Sequence, residues 1–167
     1  MYGRLLNMRT INVVILAASL LLTRAMAGPT APATVRGVQI ELRLNKVAYT
    51  VGEPVEITLT LSNPAMSVAK FQFPTGQMYD FIVSRDGQFV WQWSLGRAFT
   101  QAFTALILAP REAKVFTERW DQRDARGRTV PPGEYEIVAV FPAGDVEVTV
   151  PARPETPRVR FAIRGSR

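Results

Sequence analysis

Polar and apolar residues alternate with a period of two over most of this 167-residue chain. In residues 38–45, Val38, Ile40, Leu42 and Leu44 alternate with Gln39, Glu41, Arg43 and Asn45. Successive side chains of a strand point to opposite faces, so the spacing predicts a strand with one apolar face. Val55, Ile57, Leu59 and Leu61 repeat the pattern after a turn marked by Gly52 and Pro54, and Asn63-Pro64 ends it.

An aromatic stretch follows. Phe71 and Phe73 share a face, and Pro74-Thr75-Gly76 interrupts them. Tyr79, Phe81 and Val83 are expected on one face, with Asp80, Ile82 and Ser84 on the other. Asp86-Gly87 favours the positive backbone angles of a tight hairpin turn. On the returning strand Phe89, Trp91 and Trp93 are expected on one face, against Val90, Gln92 and Ser94. Alternation assigns Tyr79, Phe81, Phe89 and Trp91 to the interior. Trp93, Phe99 and Phe103 fall near strand ends, where an open aromatic ring can anchor a partner.

Further strands are predicted within 105–108, 113–121, 135–141, 146–150 and 159–164, separated by Gly and Pro turns. No segment has a helical period apart from the N-terminal one. Short strands at this spacing predict an all-β, antiparallel β-sandwich, and a body of roughly 130 residues can bury its own core.

Residues 1–27 have the pattern of a cleavable signal peptide. Arg4 and Arg9 precede the apolar run Ile11–Leu22, and Ala25-Met26-Ala27 places small residues before a cleavage point between Ala27 and Gly28. The run is short for a membrane span. The expected organisation is a signal peptide over 1–27, a Pro, Ala and Thr-rich spacer over 28–37, and a sandwich domain over 38–165. The expected location is secreted, periplasmic or cell-envelope, with no membrane attachment after cleavage.

The net charge of +6 narrows once it is divided along the chain. Residues 1–27 hold three arginines and no acid, and residues 151–167 hold five arginines and one acid. The body between them carries 12 basic and 13 acidic side chains. So balanced a body is not the basic footprint of a nucleic-acid-binding protein. The chain has no His and no Cys. A Ser-His or Cys-His pair is therefore excluded, zinc and copper sites are disfavoured, and no disulfide can form. No catalytic residue, cofactor or metal is expected.

Two motifs carry chemistry elsewhere. Ser67-Val68-Ala69-Lys70 fits a Ser-x-x-Lys pattern, but that chemistry needs a helix, and these residues lie in a strand context. Asp121 and Asp124 alternate with arginines in a turn-rich segment, which favours local Arg–Asp pairing over a calcium loop.

Four phrases together resemble the intracellular proteinase inhibitor, or BsuPI, family: residues 52–64 (GEPVEITLTLSNP), 71–83 (FQFPTGQMYDFIV), 90–102 (VWQWSLGRAFTQA) and 116–135 (FTERWDQRDARGRTVPPGEY). The resemblance spans about residues 38–142 and implies an immunoglobulin-like sandwich that inhibits serine proteinases without being an enzyme. Such inhibition needs a loop offered in an extended form and held too rigidly for productive cleavage. The loops that can offer a basic residue contain Arg85, Arg97, and Arg126 with Arg128; Leu95 and Phe99 suit an apolar pocket, and Trp93 stands beside them. These seven residues are the candidate partner contacts. The expected partner is a protein, a serine proteinase by resemblance. The 120–135 hairpin (WDQRDARGRTVPPGEY) also resembles Ig-like modules of flagellar-hook and secreted proteins, so an assembly role in an envelope or secreted complex is the alternative.

Overall fold

A computed structural model describes residues 28–141 and 157–165. The described residues form eleven strands and no helix. They are β1 (Thr30–Val35), β2 (Val38–Leu44), β3 (Ala48–Thr50), β4 (Val55–Ser62), β5 (Ala69–Phe73), β6 (Asp80–Arg85), β7 (Gln88–Gln92), β8 (Thr104–Leu108), β9 (Ala113–Trp120), β10 (Gly133–Val140) and β11 (Arg158–Arg164). One sheet has the order β1-β2-β4-β9, a second β3-β11-β10-β6-β7, and β5 and β8 form a separate pair. Every pairing is antiparallel except that of β11 with β3.

The alternation places the core as expected. Val38, Ile40, Leu42 and Leu44 of β2 and Val55, Ile57, Leu59 and Leu61 of β4 are all buried. Each such side chain stabilises the fold by about 1.5–3 kcal/mol relative to exposure. Between the two large sheets Trp120 of β9 meets Trp91 of β7, Tyr135 of β10 and Phe161 of β11, with ring centroids 5.8 to 6.2 Å apart. Contact from one sheet to the other through interdigitated rings is what makes the two layers a sandwich.

Among the described residues three polar side chains are buried, each at or close to the end of a strand, and each is satisfied by hydrogen bonds. Asn63 follows β4 and turns the chain out of the first sheet. Its Nδ2 donates to the carbonyls of Ser67, Leu108 and Ala109, and its Oδ1 accepts from the amide of Ala65. Beyond this turn β5 and β8 form their own pair, which carries Phe71 and Phe73 to Phe141. Gln122 lies after β9. Its Nε2 donates to the carbonyls of Thr50 and Glu53, and its Oε1 accepts from the amide of Gly52. Asp80, the third, belongs to the candidate site.

Three expectations are corrected. The segment expected as a spacer over 28–37 contains β1, which pairs with β2 through a two-residue turn at Arg36 and Gly37, both at positive φ. The turn has the handedness that joins adjacent strands, and β1 is an edge strand, where Pro32 is tolerated. Phe89 is exposed at 55% rather than interior. Register is the cause. Ser84 pairs with Phe89 and Val83 with Trp91, so Val90 is an extra residue that switches faces. Phe89 shares the outer face of Ser84, and Trp91 shares the inner face of Val83. Asp80, expected on an outer face, is only 4% exposed, because neighbouring polar groups close over it.

The final strand pairs inside the second sheet, between β10 and β3. The strand expected over 146–150 and the signal peptide lie outside the described residues.

Candidate functional site

The seven candidate contacts separate into two places. Trp93, Leu95, Arg97 and Phe99 lie together on the segment between β7 and β8. Arg85 and Arg128 line a shared surface groove with Phe89, Pro131 and Tyr135, and Arg126 stands on the exposed turn beside it.

The segment after β7 is held from three sides. At its start the amide of Trp93 donates to the carbonyl of Phe81 at 2.9 Å. A tight turn follows: Leu95 donates its amide to the Gln92 carbonyl, and Arg97 donates to that of Ser94. Gly96 at its apex has φ of +77°, a backbone region that favours glycine. Further on, the carbonyl of Thr100 accepts from the amide of Gly76 at 2.9 Å. A Cβ at Gly76 would lie 2.5 Å from the Thr100 hydroxyl, so a larger residue there would make the Thr100 side chain turn aside.

The third hold is Asp80. Its Oδ1 accepts from the amides of Phe81 and Ser94 at 2.8 and 3.0 Å. Its Oδ2 accepts from Gln77 Nε2, Gln92 Nε2 and the Ser94 hydroxyl at 3.0, 2.6 and 2.5 Å. Five donors surround one buried carboxylate, which offsets the cost of removing its charge from water.

Beneath the turn lies an aromatic stack. Tyr79 packs on Trp93, Phe81 and Phe116 at centroid separations of 4.7, 5.5 and 4.6 Å, and Phe99 packs on Trp93 at 5.7 Å. Trp93 is 8% exposed, which corrects the expectation of an open ring at a strand end. The Arg97 guanidinium covers it, 4.2 Å from the ring centroid, while Arg97 Nε donates to the Trp93 carbonyl. Arg97 also lies 3.8 Å from Glu118. Its charged end is thus occupied within the chain. Leu95 at the tip is 54% exposed and free to meet a partner. Burial, with the Glu118 carboxylate second, pushes the Tyr79 hydroxyl pKa above its ordinary value.

The other cluster is more self-contained. The Arg85 guanidinium lies over the Tyr135 ring, 5.7 Å from its centroid. Arg128 binds Asp124 through Nε and one terminal nitrogen at 2.9 and 2.7 Å. Asp124 Oδ1 also accepts from the amides of Arg126 and Arg128, and the carboxyl is held below its ordinary pKa, chiefly by the Arg128 side chain. The amide of Ala125 donates to the Val90 carbonyl, tying this turn to β7. Local Arg–Asp pairing is therefore present at Asp124, as expected from the sequence. Lys70 of the Ser-x-x-Lys pattern lies in strand β5, away from any helix.

Periodicity did not single out Gln77, Asp80, Gln92 or Ser94. The available signal was polarity in the wrong company. Asp80, Gln92 and Ser94 interrupt a run of aromatic and branched residues, and a polar residue amid such neighbours is either at the surface or part of a network.

Comparison with known proteins adds the following. No protein with a curated description matches the chain. Among solved structures, a β-glucosidase from Erythrobacter marinus is 15% identical, with a TM-score of 0.43, over 82% of this chain and 16% of the enzyme. The alkylpurine DNA glycosylase AlkC of Pseudomonas fluorescens, bound to DNA containing an abasic site analog, is 15% identical over 77% of this chain and 30% of that one, with a TM-score of 0.44. A CARDB domain from Pyrococcus furiosus, in complex with di-metal ions, is 14% identical over 82% of this chain and 94% of that one, with a TM-score of 0.40. The chain therefore spans a small part of the first two proteins. Residues 42–146 match the BsuPI family, described as intracellular proteinase inhibitor. The match covers the strands and turns from β2 to β10, including Gly76, Gln77, Asp80, Gln92 and Ser94. The chain belongs to the BsuPI family of intracellular proteinase inhibitors.

Proposed function

We propose that the chain is a non-enzymatic, exported inhibitor of a serine proteinase, built on an immunoglobulin-like sandwich, and that it presents the Trp93–Phe99 loop to its target. The observation that carries this reading is an exposed apolar tip on a backbone fastened at both ends. Leu95 is open while Trp93, Ser94, Arg97 and Thr100 are tied to the fold. A loop already in its bound shape loses little conformational freedom on binding, and that is how a substrate-like segment gains affinity. Leu95 fits an apolar specificity pocket. Arg97 supports the loop from within, because its guanidinium is engaged by Trp93 and Glu118. Arg85, Arg126 and Arg128 form a separate surface that a partner could meet at the rim. Export rests on the signal-peptide pattern over residues 1–27, with cleavage between Ala27 and Gly28.

Purified residues 28–167, mixed with subtilisin-like and trypsin-like proteinases, are expected to abolish the activity of one class stoichiometrically, in a complex that survives dilution. Leu95→Asp should abolish inhibition and Arg126→Ala should leave it intact. Rapid digestion of the wild-type chain, or inhibition untouched by Leu95→Asp, overturns the reading.

A second reading is favoured by the β5–β8 pair. Ile107 of β8 is exposed, as are Val68 just before β5 and, at 81%, Phe103 just before β8, and among the described residues each strand is paired on one side only. An apolar strand with an open edge can accept a further strand from an assembly partner. Capture of a partner that is lost on Ile107→Lys but not on Leu95→Asp supports this alternative.

A further inference from the structure

We propose that Asp80 is the positioning residue of the Trp93–Phe99 loop, taking the part that a disulfide plays in other rigid binding loops. The inference deepens the inhibitory reading of that loop and rests on it for its functional consequence. Its structural basis is independent of that reading.

Asp80 begins β6 and is nearly inaccessible to water. A structural carboxylate at such a site is ordinarily balanced by a cation. Here all five partners are neutral donors, and they come from three separate segments: Gln77 before the strand, Phe81 within it, and Gln92 with Ser94 at the far end of the hairpin. Ser94 contributes both its amide and its hydroxyl. It directly precedes Leu95, and its own carbonyl accepts the Arg97 amide that closes the turn. The line from the buried carboxylate to the exposed tip is therefore two residues long. Moving Ser94 moves Leu95 with it.

The sequence offers no disulfide to fasten so tight a loop, since it contains no Cys. Gly76 with Thr100 and Arg97 with Trp93 fasten the later part of the segment. Asp80 fastens the residue immediately before the tip through two bonds, and Gln92 Nε2, itself bound to Asp80, also donates to the Ser94 hydroxyl at 2.9 Å. Replacing it by the isosteric amide sets an NH2 group against a ring of donors, which removes acceptors without opening a cavity.

The test compares Asp80→Asn with wild type in residues 28–167. Hydrogen exchange of the Ser94 and Arg97 amides is expected to accelerate about tenfold or more, the scale of losing hydrogen bonds to a charged group. Amides of Ile57, Leu59 and Ile137 in the sheets should keep their protection. Against the proteinase that the wild type inhibits, Asp80→Asn should weaken inhibition about tenfold or more and be cut within residues 93–99. Unchanged exchange at Ser94 and Arg97 overturns the proposal. If the wild type inhibits no proteinase, the inhibitory reading fails, and the exchange comparison still decides the positioning role. Should Asp80→Asn not fold, Ser94→Ala removes only the hydroxyl that donates to Asp80 and accepts from Gln92. It is expected to accelerate the Arg97 amide while sparing the sheets, and no acceleration there overturns the proposal equally.

Discussion

The hydroxyl of Tyr79 donates to Oε1 of Glu118 across 2.6 Å, joining the segment before β6 to β9 of the opposite sheet. The same glutamate lies 3.8 Å from Arg97 through its other oxygen. One carboxylate thus ties the aromatic stack below the loop to the guanidinium that covers it. Tyr79→Phe keeps the ring and removes the bond. It is expected to lower the unfolding free energy by about 1–2 kcal/mol in denaturant titration, less than a fully buried charged bond because Glu118 keeps Arg97 as a partner.

The three described tyrosines should give the protein a steep alkaline limit. Burial pushes Tyr49 up to about 12, and burial is also the first cause of the upward shifts of Tyr79 and Tyr135. Their unfolded pKa is about 10, so between pH 10 and the folded values the unfolded chain has lost protons that the folded chain retains. This contribution is complete below pH 10 and is lost as pH rises through the folded values. Tyrosinate absorbance is therefore expected to appear together with loss of near-ultraviolet circular dichroism. A graded titration well before unfolding would count against buried, bonded hydroxyls.

Gln122 is a demanding corner of the fold. It joins Thr50, Gly52 and Glu53 by side-chain bonds, and its backbone φ of +54° is itself unusual for a residue with a side chain. Gln122→Leu takes a partner from the Gly52 amide and from the Thr50 and Glu53 carbonyls, of which Thr50 keeps the Glu53 amide, and each group left unsatisfied costs about 1–3 kcal/mol. A loss of about 3 kcal/mol or more is expected in chemical unfolding, with β3 losing exchange protection first. A loss below about 1 kcal/mol would show that water replaces the side chain.

Two tryptophans should respond differently to the same change. The Trp120 indole donates to the Arg123 carbonyl at 2.9 Å, whereas the Trp93 indole nitrogen is buried with no protein acceptor. Trp93→Phe removes an unpaired donor along with some ring area, and Trp120→Phe breaks a bond at the centre of the core. Thermal unfolding is expected to shift several degrees further down for Trp120→Phe. Equal shifts would mean that the Trp93 donor is satisfied in solution.

Much of the sandwich was legible because its logic is repetition. Wherever a strand has one buried face, period two marks it, and Val38–Leu44, Val55–Leu61 and Tyr135–Ala139 obey it without exception. What stayed hidden depended on pairing. The bulge at Val90 turns Phe89 outward, and no local pattern announces an extra residue in one strand. The first strand hid behind Pro29 and Pro32, which are spacer-like in composition and tolerable only because β1 lies at an edge. In the candidate site, Leu95, Arg97 and Phe99 were found as loop residues, but Asp80 gains its meaning from groups 12 and 14 positions away.

A clamp assembled from a carboxylate, two carboxamides, a hydroxyl and main-chain amides contains nothing that glutathione or thioredoxin can reduce. Its grip is the same in a reducing interior and in an oxidising exterior. A loop held in this way keeps its fastening whichever compartment the chain occupies.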